Sequence, residues 1–404
     1  SKEGREFHQR SSVLGPIARS APVYVGKPNQ TWLASAGGSA YAAFLKKAAK
    51  RNAMVYVGSN GGALHGFDAA SGEEILAYYP GALYRVGHGG YHDLALEGFK
   101  HKTKYVDGVP HVSDVKVGGK WKTVLVSSLG GGGRGLFALD VTDPSELSDA
   151  NTTVLWEFTH EDDPHLGYTH SKPILTQMNN GKWAAIIGNG KDADADDATA
   201  GQAQLFIVYL DGPGGDGVWD LGSDYLRIST GVGSVGTALS RAVLDAAAAA
   251  AWDAAAAAIA AADGAAADSA ARAAADDAIA AATAAAAAAA VGSRNALFAP
   301  IGIDSVIPQD GKVDLIYAGD LYGNLWRFDL SGSSERLWSS PAKPLFKGDK
   351  TRPITAIPAV GVAPASVTDF APIRTGALAK THPGRVFFGS GRLLADADLS
   401  LINT

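Results

Sequence analysis

The stretch IYAGDLYGNLWRFD, residues 316–329, decides the fold of this chain because degenerate copies of it recur along the sequence. Two runs of β-forming residues flank a glycine-rich reversal between Gly319 and Gly323, which predicts a β-hairpin. Glycine suits such a reversal because it tolerates positive φ. Trp326 and Phe328 alternate on the second strand, so we expect both side chains to face the same core.

The copies share the order strand, glycine, strand and aspartate, and they occupy residues 55–68, 124–140, 186–211 and, cut short, 386–391. The glycines expected at equivalent hairpin positions are Gly58, Gly130, Gly188 and Gly319. They recur at roughly 60 to 70 residues, apart from a double-length gap before the last one. A repeated unit of this size that closes into a ring is typical of an all-β fold, the β-propeller with long inter-strand loops.

The composition restricts the class of protein. The net charge is −6, and lysines and arginines are scattered along the chain, which argues against a nucleic-acid partner and against an anionic membrane surface. No apolar run reaches the ~18 residues of a membrane-spanning helix. The first residues lack a signal segment, so we expect them to follow a cut within a longer protein. The absence of cysteine excludes disulfides, thiol nucleophiles and cysteine–zinc sites.

Residues 246–290 are almost entirely alanine. Such a run would be a strong helix former, but it lacks the amphipathic stripe that would dock a helix on a sheet. We therefore interpret many of these alanines as standing in for side chains that were never identified. The chain is predicted to be a single β-propeller domain over residues 1–404, with an anomalous alanine-rich insertion at 235–290.

Several segments, taken in order, resemble the C-terminal domain of PilY1/PilC-type proteins, which are tip-associated adhesins and biogenesis factors of type IV pili. The resemblance covers most of the chain apart from residues 235–290. The segments that carry it are FHQRSSVLG (7–15), APVYVG (21–26), VYVGSNGGALHGFD (55–68), LGGGGRGLFALDVTDP (129–144), GNG (188–190), the hairpin quoted above and GSGRL (389–393).

This resemblance implies a modified, quinoprotein-like propeller with seven blades. It also implies a non-enzymatic domain that supports pilus assembly, control of extension and retraction, twitching motility and surface attachment. The implied location is extracellular, at the pilus tip or the bacterial outer-membrane surface. The implied partners are the minor pilins of the tip complex, a host or abiotic surface, and the N-terminal region of a longer parent protein. Members of the family carry a calcium loop between blades, so calcium is the implied cofactor.

The segment DSVIPQDGKVD, residues 304–314, is the candidate for that calcium loop. Calcium loops place oxygen ligands at alternate positions around a glycine turn. The candidate ligands carried over from the family pattern are Asp310, the carbonyl of Lys312 and Asp314, and Asp304 is a further candidate that would compensate for missing ligands. Val306 and Pro308 stand where the family has carboxylates or amides, and neither side chain can bind calcium. The segment therefore has two interpretations of similar weight, a weak calcium site and an ordinary Asp-Gly turn.

Two other acidic loops compete with this segment. Residues 192–197 alternate aspartate and alanine but lack a glycine at the turn, and residues 216–220 repeat the Asp-Gly-x-x-Asp pattern. Like charges this close are costly unless a cation or water neutralises them. A solvated turn is the preferred interpretation of each loop taken singly.

The alternative function is that of a quinoprotein (PQQ-dependent) dehydrogenase, because those enzymes share this blade pattern and hold quinone and calcium over the centre of the ring. Such enzymes often stack the quinone against a vicinal disulfide, which a chain without cysteine cannot form. The sequence also contains neither a nucleophile elbow nor an HExxH motif. A non-enzymatic role is therefore predicted.

Overall fold

The protein folds into antiparallel sheets that follow one another along the chain. The computed structural model describes residues 14–28, 38–84, 90–91, 94, 104–234, 254, 274, 277, 294–304, 310–338, 342–362 and 384–389. These residues form four four-stranded sheets and one two-stranded sheet, and within each sheet the strands lie in chain order.

The strand bounds are as follows. The first sheet contains β1 (Val23–Val25), β2 (Met54–Gly58), β3 (Leu64–Asp68) and β4 (Glu74–Tyr78). The second contains β5 (His111–Val117), β6 (Lys120–Ser128), β7 (Gly135–Asp140) and β8 (Val154–Thr159). The third contains β9 (Ile174–Gln177), β10 (Trp183–Gly188), β11 (Gln202–Tyr209) and β12 (Tyr225–Gly233). The fourth contains β13 (Leu297–Ile303), β14 (Leu315–Asp320), β15 (Leu325–Asp329) and β16 (Lys343–Phe346), and the last contains β17 (Ala359–Val362) and β18 (Gly384–Phe387).

Helices are few in the part of the chain that the structure describes: α1 (Gly38–Ala48), α2 (Ala150–Thr153) and α3 (Glu335–Trp338), with short 3-10 turns. None of these described helices is long and apolar enough to cross a membrane. The all-β prediction is confirmed, whereas the number of seven blades stays a prediction. The predicted insertion at 235–290 lies outside the described residues, apart from residues 254, 274 and 277.

The central hairpin of each four-stranded sheet has the same register. Gly58 pairs with Leu64, Gly188 with Leu205, and Gly319 with Leu325. In the second sheet the residue at this position is Ser128, which pairs with Leu136, so the predicted equivalence of Gly130 is wrong by two residues. The predicted aspartate at the far end of the hairpin is present as Asp68, Asp140 and Asp329, but Tyr209 replaces it in the third sheet, where Asp211 was expected.

Each pair of neighbouring four-stranded sheets shares one apolar core. In the second sheet, Val124 and Val126 pack against the third sheet, while Leu125 between them packs against the first. Both faces of these strands are buried, which explains why they read as continuous apolar runs. In the fourth sheet, Trp326 and Phe328 are 3% and 2% exposed and lie in the core shared with the third sheet, as predicted.

The glycines that end the first hairpin strands are required by close packing, because their φ angles are not in the positive region. A Cβ on Gly58 would lie 2.4 Å from the carbonyl oxygen of Val106, and a Cβ on Gly188 would lie 2.2 Å from that of Leu297. In both cases the contacted residue belongs to the segment that leads into the next sheet. The positive φ expected of the reversal is found further along it, at Gly62 and Gly323.

Candidate functional site

The candidate calcium loop connects β13 to β14, on the side of the fourth sheet that contacts the third. Asp304 follows the last residue of β13, and Gly311 forms the turn with a φ of 80°. Residues 305–309, which include Val306 and Pro308, lie outside the described residues.

Two of the predicted ligands converge on this turn. Oδ2 of Asp304 accepts the backbone N–H of Gly311 at 2.8 Å, and Oδ1 of Asp310 accepts that of Lys312 at 3.1 Å. The Lys312 ammonium also lies 3.1 Å from Oδ2 of Asp310. The turn and a neighbouring lysine therefore satisfy both carboxylates in this conformation, which lowers their mutual repulsion.

Asp314 is placed differently, because it is 1% exposed at the junction of the third and fourth sheets. Its Oδ1 accepts a hydrogen bond from Nδ2 of Asn179 at 3.0 Å. The same amide also donates to the carbonyls of Val313 and Leu330. Asp314 therefore ties the loop to the third sheet, and the structure brings together Asp304, Asp310 and Lys312 without it.

The residues of this turn fit a calcium site only in part. Among the described residues, no three His, Asp or Glu side chains are close enough together to hold a metal ion. The turn does bring together the carboxylates of Asp304 and Asp310, which are oxygen ligands of the kind calcium uses. The residues present therefore fit a weak site better than a tight one.

The acidic loop at 192–197 spreads its carboxylates apart. Asp192 pairs with Lys191 at 3.3 Å, Asp194 with Arg134 at 2.7 Å, and Asp197 with His165 at 3.0 Å. The alanines between them are buried, so the alternation of the sequence reflects an extended segment with one buried side. These three carboxylates therefore have separate partners, and among the described residues they do not form a group that could hold a metal ion.

The loop at 216–220 is a turn on the surface. Asp216 accepts the backbone N–H of Val218 at 3.1 Å, and Gly217 has a φ of 74°. Trp219 is buried and packs edge-on against Trp156 and Phe158. The turn therefore serves to insert Trp219 into the core between the second and third sheets.

A polar cluster that the sequence did not predict joins the connection between β8 and β9 to the loop before β11 and to β12. His165 is enclosed by two carboxylates: its Nδ1 lies 2.9 Å from Asp163 and its Nε2 3.0 Å from Asp197. Arg227 donates to both oxygens of Asp163, at 2.8 and 3.1 Å, and the Tyr225 hydroxyl donates at 3.0 Å. Only the Asp-Pro-His sequence at 163–165 hinted at this cluster, because its other members are at least 32 residues away from His165.

These hydrogen bonds set the charge states of the two carboxylates. Burial alone would raise the pKa of each, but it is outweighed at Asp163 by hydrogen bonds from His165 and the charge of Arg227, so that pKa is lowered. Hydrogen bonds from Thr199 and His165 likewise overcome desolvation at Asp197 and lower its pKa to about 2. The cluster therefore holds both aspartates ionised at neutral pH.

Comparison with known proteins places these features in one family. The family model described as the PilY1 β-propeller domain matches residues 14–221 and 255–404. The type IV pilus biogenesis factor PilY1 of Pseudomonas aeruginosa strain PAK is 32% identical over 98% of this chain and 28% of its own length. A PilY1 homolog of Xylella fastidiosa is 32% identical over 99% of this chain and 25% of its own length. The chain thus spans about a quarter of these relatives.

A solved structure supports the same relationship. The crystal structure of the P. aeruginosa PilY1 C-terminal domain matches 93% of this chain and 60% of that one, with 28% sequence identity and a TM-score of 0.57.

Proposed function

Because this chain belongs to the PilY1 β-propeller domain family, we propose that it is a non-enzymatic domain of a type IV pilus biogenesis factor, located at the pilus tip or the outer-membrane surface. The observation that carries the proposal is the family match over residues 14–221 and 255–404. The partners we propose are the minor pilins of the tip complex, a host or abiotic surface, and the N-terminal region of the parent protein. Within this role the domain supports pilus assembly, twitching motility and adhesion.

Domain replacement in P. aeruginosa tests this role. The gene for its PilY1 would be altered so that this chain replaces the matching domain, and surface pili and the twitching zone would be measured. We expect piliation above that of a strain in which the domain is deleted. The proposal would be contradicted by a chimera that is produced and exported in normal amounts, yet gives cells with as few surface pili as the deletion strain.

We also propose that the loop at 304–314 is a weak calcium site that tunes pilus extension and retraction. The support is the convergence of Asp304, Asp310 and Lys312 on one glycine turn. Asp304 and Asp310 would supply carboxylate oxygens, and the Asn179–Asp314 hydrogen bond would keep the turn against the third sheet. Calcium would offset the repulsion between the two carboxylates.

The relatives compared above are named as pilus biogenesis factors, which supports a role without catalysis. The dehydrogenase alternative makes a distinct prediction, since it requires quinone binding. Incubation with pyrroloquinoline quinone and calcium would be followed by absorbance and by reduction of an electron-accepting dye. Dye reduction dependent on the quinone would contradict the non-enzymatic role.

A further inference from the structure

A cleft of about 450 Å³ lies between the C-terminal end of α1, the start of β6 and the turn that follows β7. This volume is in the range of small-molecule sites in proteins. Its basic lining residues that form no ion pair with any described residue are Lys47, Lys50, Arg51 and Lys120. The ring of Trp121 adds an apolar surface. We call this cavity the Arg51 cleft.

Arg51 is held rigidly by neutral groups. Its Nε donates to the carbonyl of Gly26 at 2.6 Å, and its Nη1 donates to the hydroxyl of Thr123 at 2.5 Å and to the carbonyl of Thr142 at 3.4 Å. Nη2 is the nitrogen left without a hydrogen-bond partner among the described residues. A guanidinium fixed in this way is pre-organised to bind an oxyanion, since little side-chain entropy is lost on binding.

The carboxylate of Asp114 is linked to Arg51 through the hydroxyl of Thr123. Thr123 donates to Oδ1 of Asp114 at 2.7 Å, and Tyr41 donates to its other oxygen at 2.8 Å, so Asp114 is occupied by neutral donors. Burial lowers the pKa of Arg51, and the negative charge of Asp114 opposes this shift without cancelling it. The positive charge of Arg51 is therefore only partly compensated by Asp114.

The acidic residues of the cleft either already have hydrogen-bond or ion-pair partners or are exposed to solvent. Asp140 pairs with Lys122 at 2.9 Å, and Asp143 accepts the backbone N–H and the hydroxyl of Ser145. Glu146 is exposed. The position of Lys47 in the last turn of α1 is explained by the helix dipole. That explanation does not extend to Lys120, which lines the cleft at the start of β6.

We propose that the Arg51 cleft binds a small anionic ligand, whose phosphate or carboxylate group is held by Arg51 and flanked by Lys50 and Lys120. This binding is separate from the calcium loop, which lies between the third and fourth sheets. Charge-assisted hydrogen bonds from a fixed arginine are among the strongest that proteins make with oxyanions.

Titration calorimetry with the full chain tests the proposal, using sodium phosphate in one arm and sodium citrate in the other. Calcium is omitted, because citrate would chelate it, and sodium chloride keeps the ionic strength equal. The test variant is Lys50→Glu with Lys120→Glu. Both positions are exposed, and their change leaves the hydrogen bonds of Arg51 intact. The matched control is Lys343→Glu with Lys347→Glu, which makes the same charge change on exposed positions elsewhere.

We expect at least one anion to bind the wild type and the control equally, and the cleft variant about tenfold or more weakly, as the loss of a charged hydrogen bond implies. Preference for phosphate assigns a phosphorylated ligand, and preference for citrate a carboxylate. Absence of heat with both anions would overturn the proposal. Equal weakening in the control would also overturn it, since the effect would then be one of net charge.

Discussion

At the scale of single residues, glycine is needed in this chain for two different reasons, close packing at some positions and positive φ at others. The sequence identified Gly58, Gly188 and Gly319 as a repeated position, but the physical reason inferred from the sequence was positive φ. The structure shows that these three are crowded by the segment leading to the next sheet, at 2.2 to 2.4 Å from a would-be Cβ. Sequence alone could not supply this reason, because the crowding atoms belong to distant residues such as Leu297.

Gly188→Ala tests this packing. The added methyl would meet the carbonyl oxygen of Leu297 at 2.2 Å, so we expect the free energy of unfolding to fall by about 1–3 kcal/mol, as in overpacked cores. The control is Gly215→Ala, where the Cβ would meet nothing within 4 Å, and the change should stay within about 0.5 kcal/mol. Urea unfolding measures both, and equal midpoints for the two variants would contradict the packing argument.

The acidic pair around His165 predicts a dependence of stability on pH. The folded pKa of Asp197 is about 2, below the ~3.9 of an unfolded aspartate, so ionised Asp197 stabilises the fold above pH ~4. That contribution is lost as the pH falls from about 4 to about 2. In urea unfolding across this range, the stability difference between wild type and Asp197→Asn should shrink toward zero. A difference that stays constant would show that the charge of Asp197 is immaterial.

At the scale of elements, the hairpins and their facing residues could be predicted, but their connections to other sheets could not. The buried face of β15 could be predicted from Trp326 and Phe328, because residues two apart on a strand point to the same side. This relation depends only on neighbouring residues of the sequence. The role of Asp314 depends on Asn179, which lies in the third sheet, and no local pattern reveals that hydrogen bond. The same holds for His165, whose partners come from β12 and from the loop before β11.

Trp326→Ala removes the largest side chain from β15. Trp326 is 3% exposed and its Nε1–H donates to Oδ2 of the buried Asp320 at 2.7 Å, so we expect a loss of about 3–5 kcal/mol. Tyr24→Ala on β1 is the comparison, since that ring is 68% exposed. Thermal unfolding reports both changes. A melting temperature for Trp326→Ala within error of wild type would contradict its place in the core.

The proposed calcium site at 304–314 predicts a response that depends on one carboxylate, that of Asp310. We expect calcium to bind wild type weakly, toward ~10⁻⁴ M, and to raise its melting temperature, because the ion binds only the folded state. Asp310→Ala should abolish both effects while the domain remains folded. Asp216→Ala, in the other Asp-Gly turn, is the matched control and should respond like wild type. Indistinguishable calorimetric and melting data for Asp310→Ala and wild type would identify the loop as an ordinary turn.

At the scale of the whole molecule, the second and third sheets each contribute to two apolar cores. The second shares one core with the first sheet and another with the third, and the third does the same with its neighbours. The sequence predicted a ring of repeated sheets from the recurrence of one hairpin. It could not predict the number of sheets, because long loops and the alanine-rich run interrupt the repeat.

Hydrogen exchange should reflect this arrangement. Amides in β6, β7, β10 and β11 are expected to exchange most slowly, since both faces of their sheets are packed. Amides in β1 and β4 should exchange faster, because β1 has only three residues and exposed side chains lie on both strands. Mass spectrometry after timed deuteration measures the difference. Uniform protection across the first three sheets would contradict it.

The close packing around these glycines also determines the order in which parts of the fold can be completed during synthesis. The first, third and fourth sheets each have one such glycine packed against chain that is synthesised later: Gly58 against Val106, Gly188 against Leu297, and Gly319 against Ile354. A chain that leaves the ribosome N-terminus first can therefore complete the packing around Gly58, Gly188 and Gly319 only after the segments that contain Val106, Leu297 and Ile354 have been made.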